Sequence, residues 1–178
     1  MNTLIRVSIV LFFLYSCKKT SLEEVKHLTK EKNTPIEVAH DIEFVFSDSA
    51  KIKARITAPL METYQNNDYY SILPKGLEIT FYNALMQPNA YCFANYGIRR
   101  IREKLITLRD SVVVVNLKGD TLKTEELIWD ERTDKVYSNK FVRVRTKDEI
   151  IKSEGFESDP TFSFYKFYKI RGTISLDQ

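Results

Sequence analysis

Residues 51–58 read Lys-Ile-Lys-Ala-Arg-Ile-Thr-Ala, with apolar and polar side chains in strict alternation. This order places Ile52, Ala54 and Ile56 on one face of the chain and the basic side chains on the other. A period of two residues is typical of a β-strand with one buried face, whereas an amphipathic helix repeats about every three or four residues. We therefore predict a half-buried strand at residues 51–58.

The same period continues on both sides of this strand. Ile42, Phe44 and Phe46 alternate with other residues upstream, and residues 77–82 alternate downstream. Turn signals rich in Gly, Pro, Asn and Asp recur at intervals of roughly ten residues, which is typical of all-β domains. Strand and helix patterns do not alternate along the chain, so a doubly wound fold is not expected. The sequence predicts a twisted roll of about ten to twelve short antiparallel strands.

Three local features complete this prediction. Residues 98–107 have helical spacing and could form a helix, but they continue into β-branched Val112–Val115, so we predict a strand for most of this stretch. Residues 161–170 are rich in Phe and Tyr and are predicted as the last strand. Gly119 lies between Lys118 and Asp120, where we predict a structural turn.

Length and composition limit the classes of function. The chain has 178 residues, enough for one domain, and 43% of them are apolar, enough for a core. The 27 Lys and Arg nearly balance the 24 Asp and Glu, and no basic run with interleaved aromatics is present, so nucleic acid is not an expected partner. Two Cys and two His without ligand spacing predict neither a metal site nor a disulfide framework.

The N-terminus has the pattern of an export signal. An apolar run follows Arg6 and is too short for a membrane-spanning helix, but it has the length of a secretory signal. Leu14-Tyr15-Ser16-Cys17 resembles the processing box of bacterial lipoproteins, which implies cleavage before Cys17 and lipid on its thiol and new amino group. We expect a signal peptide at residues 1–16, a lipidated Cys and tether at 17–40, and a β-domain at 41–178. The alternative is an uncleaved signal anchor with a chance Cys.

No catalytic motif and no cofactor site is recognisable. Carboxylates cluster at residues 130–134 and 154–159, both at predicted turns, where Asp and Ser close backbone hydrogen bonds. A hydrolase that uses Asp130 or Asp159 is therefore the least favoured reading. Cys92 has no partner if Cys17 is lipidated, and we expect it to be a buried small hydrophobe. The sequence predicts a protein that is not an enzyme.

The second half of the chain resembles the LptC family, the periplasmic component of lipopolysaccharide export, in its Bacteroidetes lipoprotein form. The resemblance rests on the order of four segments. These are Lys-Gly-Asp-Thr-Leu-Lys-Thr-Glu-Glu-Leu-Ile-Trp-Asp at 118–130, Val-Tyr-Ser-Asn at 136–139, Val-Arg-Val at 142–144 and Ile-Ile-Lys-Ser-Glu-Gly-Phe-Glu-Ser-Asp at 150–159. Gly155 and Phe156 lie in the best-matching segment, and the resemblance implies a required structural turn and a groove position there.

The family resemblance implies an open, V-shaped β-jellyroll that shields the acyl chains of lipopolysaccharide in an apolar groove. ATP would be hydrolysed by the inner-membrane ABC transporter, not by this chain. The expected groove residues are those of the alternating apolar faces: Ile52, Ala54, Ile56, Leu77, Ile79, Phe81, Val142, Val144, Phe156, Phe162 and Phe164. In a closed core the same side chains would simply pack against one another.

The resemblance also implies partners at the two edges of the roll. Residues 41–46 would meet the transporter, and residues 161–170 would meet the β-jellyroll protein that bridges the periplasm, each by strand addition. The expected location is the periplasm, with lipid at Cys17 in the inner membrane, although an outer-membrane anchor stays open. The alternative function is that of a closed β-domain lipoprotein that binds a protein or a glycan.

Overall fold

Alternating sequence produces strands throughout the part of the chain that the structure describes. The structure is a computed structural model, and it describes residues 34–175. Twelve strands form one antiparallel sheet in this range. Their bounds are β1 Glu37–Asp48, β2 Lys51–Gln65, β3 Tyr69–Leu73, β4 Leu77–Tyr82, β5 Pro88–Ala94, β6 Tyr96–Arg100, β7 Leu105–Asn116, β8 Thr121–Asp130, β9 Lys135–Arg145, β10 Glu149–Ser158, β11 Tyr165–Phe167 and β12 Ile170–Ser175.

The sheet is a meander of long, bent strands. β3 and β4 both pair with β2, at its end and near its start, so together they form one long bent partner of β2. β5 and β6 likewise pair with the two halves of β7, and β11 and β12 with the two halves of β10. The chain therefore makes nine long antiparallel strands whose order in the sheet is their order in the sequence.

Each long strand bends near its middle, and we call the line of bends the crease. Residues with positive φ lie on it: Asp41 at 49°, Asp110 at 62°, Ser111 at 59°, Gly155 at 99° and Lys169 at 50°. Register shifts interrupt the ladders at the same level, for example between Arg109 and Val112. Bulges of this kind bend a strand and increase its local twist.

Buried hydroxyl groups satisfy the backbone where the ladders are interrupted at the crease. Thr124 Oγ1 donates to the carbonyl oxygen of Phe141 at 3.0 Å, and Ser153 Oγ donates to that of Gly155 at 3.1 Å. The amide of Lys140 donates to Ser138 Oγ at 3.1 Å. Unpaired buried backbone groups are costly, so these short polar side chains stabilise the bend.

The crease divides the sheet into two layers that face each other. The first layer contains β4, β5 and β12, the second contains β3, β6 and β11, and the other six strands contribute one half to each. The apolar faces of both layers enclose a single core, in which Phe81 of the first layer lies 5.3 Å from Trp129 of the second. The prediction of an antiparallel β-jellyroll is confirmed.

One strand prediction is confirmed and another is wrong. Most of residues 98–107 are strand, as predicted, in β6 and the start of β7, and a turn at 101–104, with Lys104 at φ +56°, separates the two. The last strand is not 161–170, because Asp159 Oδ1 accepts the amides of Ser163 and Phe164 and holds this segment as a loop. The strand ladder resumes only at Tyr165.

The N-terminal predictions fall mostly beyond the reach of the structure. The signal peptide at residues 1–16, Cys17 and most of the tether at 17–40 lie outside the described residues. β1 begins at Glu37, within the segment that the sequence assigned to the tether. Residues 101–104 and the other turns connect one strand directly to the next. No helix in the described range is long and apolar enough to span a membrane.

Candidate lipid-binding interior

The space between the two layers contains most of the side chains predicted to line a groove. Nine of the eleven are buried in the core cluster: Ala54, Ile56, Leu77, Ile79, Phe81, Val142, Val144, Phe156 and Phe162. Ile52 is half-buried near the start of β2. The structure thus brings ten of these residues to the inward face, while their contact with lipid stays a prediction.

Phe164 is the exception, and its predicted inward orientation is wrong. Its side chain is 67% exposed. Ser158 Oγ donates to the carbonyl oxygen of Phe164 at 2.6 Å, which together with the contacts to Asp159 fixes this residue in the loop before β11. Alternation of side chains holds only within a strand, so a loop residue does not follow it.

A row of aromatic rings crosses the interior from one edge of the sheet to the other. Trp129 contacts Phe46 of β1 at a centroid distance of 5.4 Å and Phe81 at 5.3 Å, both edge to face. Phe81 then contacts Phe162 at 6.1 Å, and Phe162 stacks on Phe156 at 6.3 Å. Phe156 reaches Tyr165 and Phe167 of β11. The rings form one continuous apolar row. Most of its contacts join residues that are far apart in the sequence, so the sequence does not reveal them.

Trp129 is the second ring of this row, next to Phe46 of β1, and has an unusual polar feature. The side chain is 3% exposed, and its indole N–H has no hydrogen-bond partner within the described chain. A buried donor without an acceptor costs about 1–3 kcal/mol. This donor lies beside Phe46, whose ring carries the guanidinium of Arg99 at 4.7 Å. Trp129 also borders a cleft of about 290 Å³ that is lined by charged side chains such as Lys53 and Glu131.

The interior is less completely covered at the two edges than at its centre. Ala39, Ile42, Phe44 and Phe46 of β1 pack on the core but stay half-buried, as do Tyr165 and Phe167 of β11. Ile79 and Val142, by contrast, have no exposed surface. The apolar faces are therefore closest to solvent where the sheet ends.

Both edges also carry exposed apolar side chains on the outside. Among the described strands, β1 pairs only with β2, and β11 and β12 pair only with β10. Val38 and Val45 on β1 are 50% and 49% exposed, and Ile170 and Ile174 on β12 are 59% and 49% exposed. An edge of this kind is a template for a further strand.

The clustered carboxylates take part in local ion pairs and turns. Burial raises the pKa of Asp130, but hydrogen bonds from the Arg132 side chain and backbone outweigh burial, so the net pKa is lowered. Glu131 pairs with Arg99 at 3.1 Å. Asp159 accepts backbone amides in its own loop. These contacts agree with the turn interpretation at residues 131–134 and at Asp159, but that interpretation is wrong for residues 154–158, which belong to β10.

Cys92 and the predicted glycines have structural surroundings. Cys92 is fully buried, and burial raises the pKa of its thiol far above the ordinary range, so the prediction of a small buried hydrophobe is confirmed. Gly119 has φ +84° in the turn between β7 and β8, and Gly155 has φ +99° in the crease of β10. No cluster of three His, Cys, Asp or Glu side chains that suits a metal exists within residues 34–175.

Sequence reasoning missed several residues that fill the interior. Trp129 entered only as part of a motif, yet it is the ring that connects Phe46 to Phe81 in the aromatic row. Other missed core residues are Ile106, Leu108, Val112, Val114, Leu122, Leu127 and Val136. A signal was available, because these residues alternate with outward positions along β7, β8 and β9.

Comparisons with known proteins add a family. A family model described as lipopolysaccharide-assembly, LptC-related, matches residues 3–161, which is far more than half of the chain. No curated protein matches. Among solved structures, the chain resembles LptH, described as the LptA homologous periplasmic component of the lipopolysaccharide transport device from Pseudomonas aeruginosa. That chain is 10% identical, the match covers 82% of this chain and 96% of that one, and the TM-score is 0.40.

Proposed function

The chain belongs to the LptC-related family of lipopolysaccharide-assembly proteins, and on this premise we propose that it carries lipopolysaccharide with the acyl chains held between its two layers. The observation that supports the proposal is the row of aromatic rings that runs from edge to edge through the apolar core. The role is binding and transfer, without enzymatic turnover. Family membership favours this function over a closed domain that binds a protein or a glycan.

Acyl chains gain about 0.8 kcal/mol for each CH₂ group that leaves water, so a few chains provide a large driving force for entry. In the lipid-free state the interior is filled by the chain's own side chains, and entry requires the layers to part. We place this parting at the half-buried inner face of β1, which lies at one edge of the sheet. The free indole N–H of Trp129, next to this face, suits an ester or hydroxyl oxygen of the entering lipid.

The partners at the two edges and the membrane anchor are proposed by analogy with the family. β1 would add to the transporter side, and the β11–β12 edge would add to the periplasmic bridge component. Lipid on Cys17 would hold the chain on the inner membrane. Val38 and Val45, exposed on β1, and Ile170 and Ile174, exposed on β12, are the positions where a photoreactive side chain should capture each partner in cells.

The test uses the only tryptophan of the chain as a reporter. Lipopolysaccharide added to the purified full chain should shift the emission of Trp129 and change its quenching by acrylamide, in a saturable manner. Base-treated lipopolysaccharide, which keeps the phosphorylated sugars but lacks the ester-linked acyl chains, should have a much smaller effect. Unchanged emission with intact lipopolysaccharide, or an equal response to the deacylated form, would contradict binding of acyl chains beside Trp129.

A further inference from the structure

Three neighbouring strands of the first layer place cations side by side on its outer surface. Lys123 of β8 is the register partner of Arg143 of β9, and Arg143 is the partner of Lys152 of β10. Arg145 lies two residues along β9, opposite Thr121. Neighbouring strands are about 4.8 Å apart, so these side chains are close together. We call Lys123, Arg143, Arg145 and Lys152 the basic face.

The basic face has no internal counter-charge. Like charges in directly opposed positions destabilise a sheet, and ordinary surfaces avoid them. Seven ion pairs occur among the described residues, and none includes any of these four cations. Elsewhere the pairing is regular, as for Arg99 with Glu131. Glu125 lines the same cleft as Lys123 and Arg143, but four cations face this one carboxylate, so the basic face keeps a net positive charge that suits an anionic partner.

Aromatic side chains on the same outer surface are exposed. Phe141, at the crease, is 52% exposed and lines a cleft of about 570 Å³ with Lys123 and Arg143. Phe93 of β5 is 41% exposed, and its register partner Val113 is in turn opposite Lys123. Exposed aromatic rings among Lys and Arg are typical of surfaces that meet the headgroup region of a bilayer.

We propose that the basic face docks on the surface of an anionic phospholipid bilayer. Lys123, Arg143 and Arg145 are exposed and line a cleft of about 270 Å³ with Thr121, and Lys152 extends the cations to a third strand, so the face presents several positive charges to a layer of headgroups. The predicted lipid at Cys17 would keep the domain nearby. A tether of about 20 residues spans at most roughly 66 Å when extended, so the face can reach the membrane. Docking does not depend on the carriage of acyl chains.

The experiment measures how fast a maleimide labels one engineered cysteine on the basic face. Thr121→Cys is introduced into the full chain, where Cys92 is fully buried. The thiol of Cys17 is blocked when it carries the predicted lipid, and the same chain without Thr121→Cys measures background labelling. The protein is attached through its own N-terminal segment to vesicles of phosphatidylcholine, or of phosphatidylcholine with phosphatidylglycerol. We expect labelling by a bulky maleimide to be at least about fivefold slower on the anionic vesicles, and to recover in high salt.

Two charge-reversal variants test whether the charges of the basic face cause the slower labelling on anionic vesicles. Arg143→Glu with Arg145→Glu should abolish the slowing, whereas Arg102→Glu with Lys104→Glu, an equal change of charge in the exposed β6–β7 turn, should preserve it. If the first variant does not fold, as judged by circular dichroism, Lys123→Gln with Arg145→Gln replaces it and should reduce the slowing by about half or more.

Four results would overturn the proposal: no slowing on anionic vesicles, equal slowing on neutral vesicles, equal loss in the two charge-reversal variants, or slowing that requires lipopolysaccharide in the vesicle. The last result would assign the basic face to the phosphates of the cargo. Because the readout is at Thr121, its failure is distinct from a failure of the Trp129 response to acyl chains.

Discussion

The two edges of the sheet are built differently. β1 is a continuous strand of 12 residues that pairs with β2 along its whole length, and its inner face is apolar but half-buried. The opposite edge consists of β11 and β12, with 3 and 6 residues, separated at Tyr168 and Lys169. β1 is thus a long edge strand whose backbone is a template for a further strand, with its ladder interrupted only at Asp41 and after Phe46. The β11–β12 edge depends on the local geometry of the crease.

The largest loss of stability is expected from a substitution that fills the crease beside the β11–β12 edge. Gly155 has φ +99°, and a Cβ there would lie 3.1 Å from Cβ of Tyr168. Gly155→Val combines backbone strain with this clash, so we expect a loss of about 3 kcal/mol in the free energy of unfolding, measured by urea denaturation. Gly119→Ala is the control, because its φ is +84° but nothing lies within 4 Å, and it should cost about 1 kcal/mol. Equal losses would show that the contact with Tyr168 is unimportant.

The next change weakens the β1 edge instead. Phe46→Ala removes the ring that contacts Trp129 and Arg99, and we expect a loss of about 2 kcal/mol together with a shift in Trp129 fluorescence. Val45→Ala, one residue away and 49% exposed, should cost less than about 0.5 kcal/mol. If both variants unfold at the same urea concentration, the inner face of β1 does not pack on the core.

A smaller effect is expected from Trp129→Phe. The substitution loses part of the packed ring, but it also removes a buried N–H without a partner, so the two terms oppose each other. We expect stability to change by less than about 1 kcal/mol in a thermal melt followed by circular dichroism. A loss of about 3 kcal/mol or more would mean that the indole N–H is satisfied in the folded protein.

The smallest effect concerns pH at the β10–β11 junction. The hydrogen bond from Lys135 lowers the pKa of Glu157, which lies opposite Lys166. A lowered folded pKa means that the pair stabilises the protein above the unfolded pKa of about 4.3 and that this stability is lost as pH falls through the folded pKa. Glu157→Gln should cost less than about 0.5 kcal/mol near pH 7, and the cost should vanish in acid. A cost that persists in acid would not come from the charge.

The sequence predicted the strands better than their bends. Strict alternation at residues 51–58 located β2 and its buried face, because a period of two has only one structural reading. The crease was not predicted as a feature, because it arises where Asp110, Ser111 and Lys169 adopt positive φ, which their sequence neighbours do not dictate. The aromatic row was missed for a related reason: Phe46, Trp129 and Phe162 meet only across the layers. The family resemblance supplied the function, which alternation alone cannot separate from a closed core.

The most direct test of the central claim compares two consecutive residues of β1. A photoreactive phenylalanine analogue would replace Phe46, which faces the interior, or Val45, which faces outward, in living cells. The account predicts a lipopolysaccharide adduct from position 46 and little or none from position 45. Adducts from neither position, or from both equally, with the protein folded and at its normal level, would contradict the carriage of acyl chains between the layers.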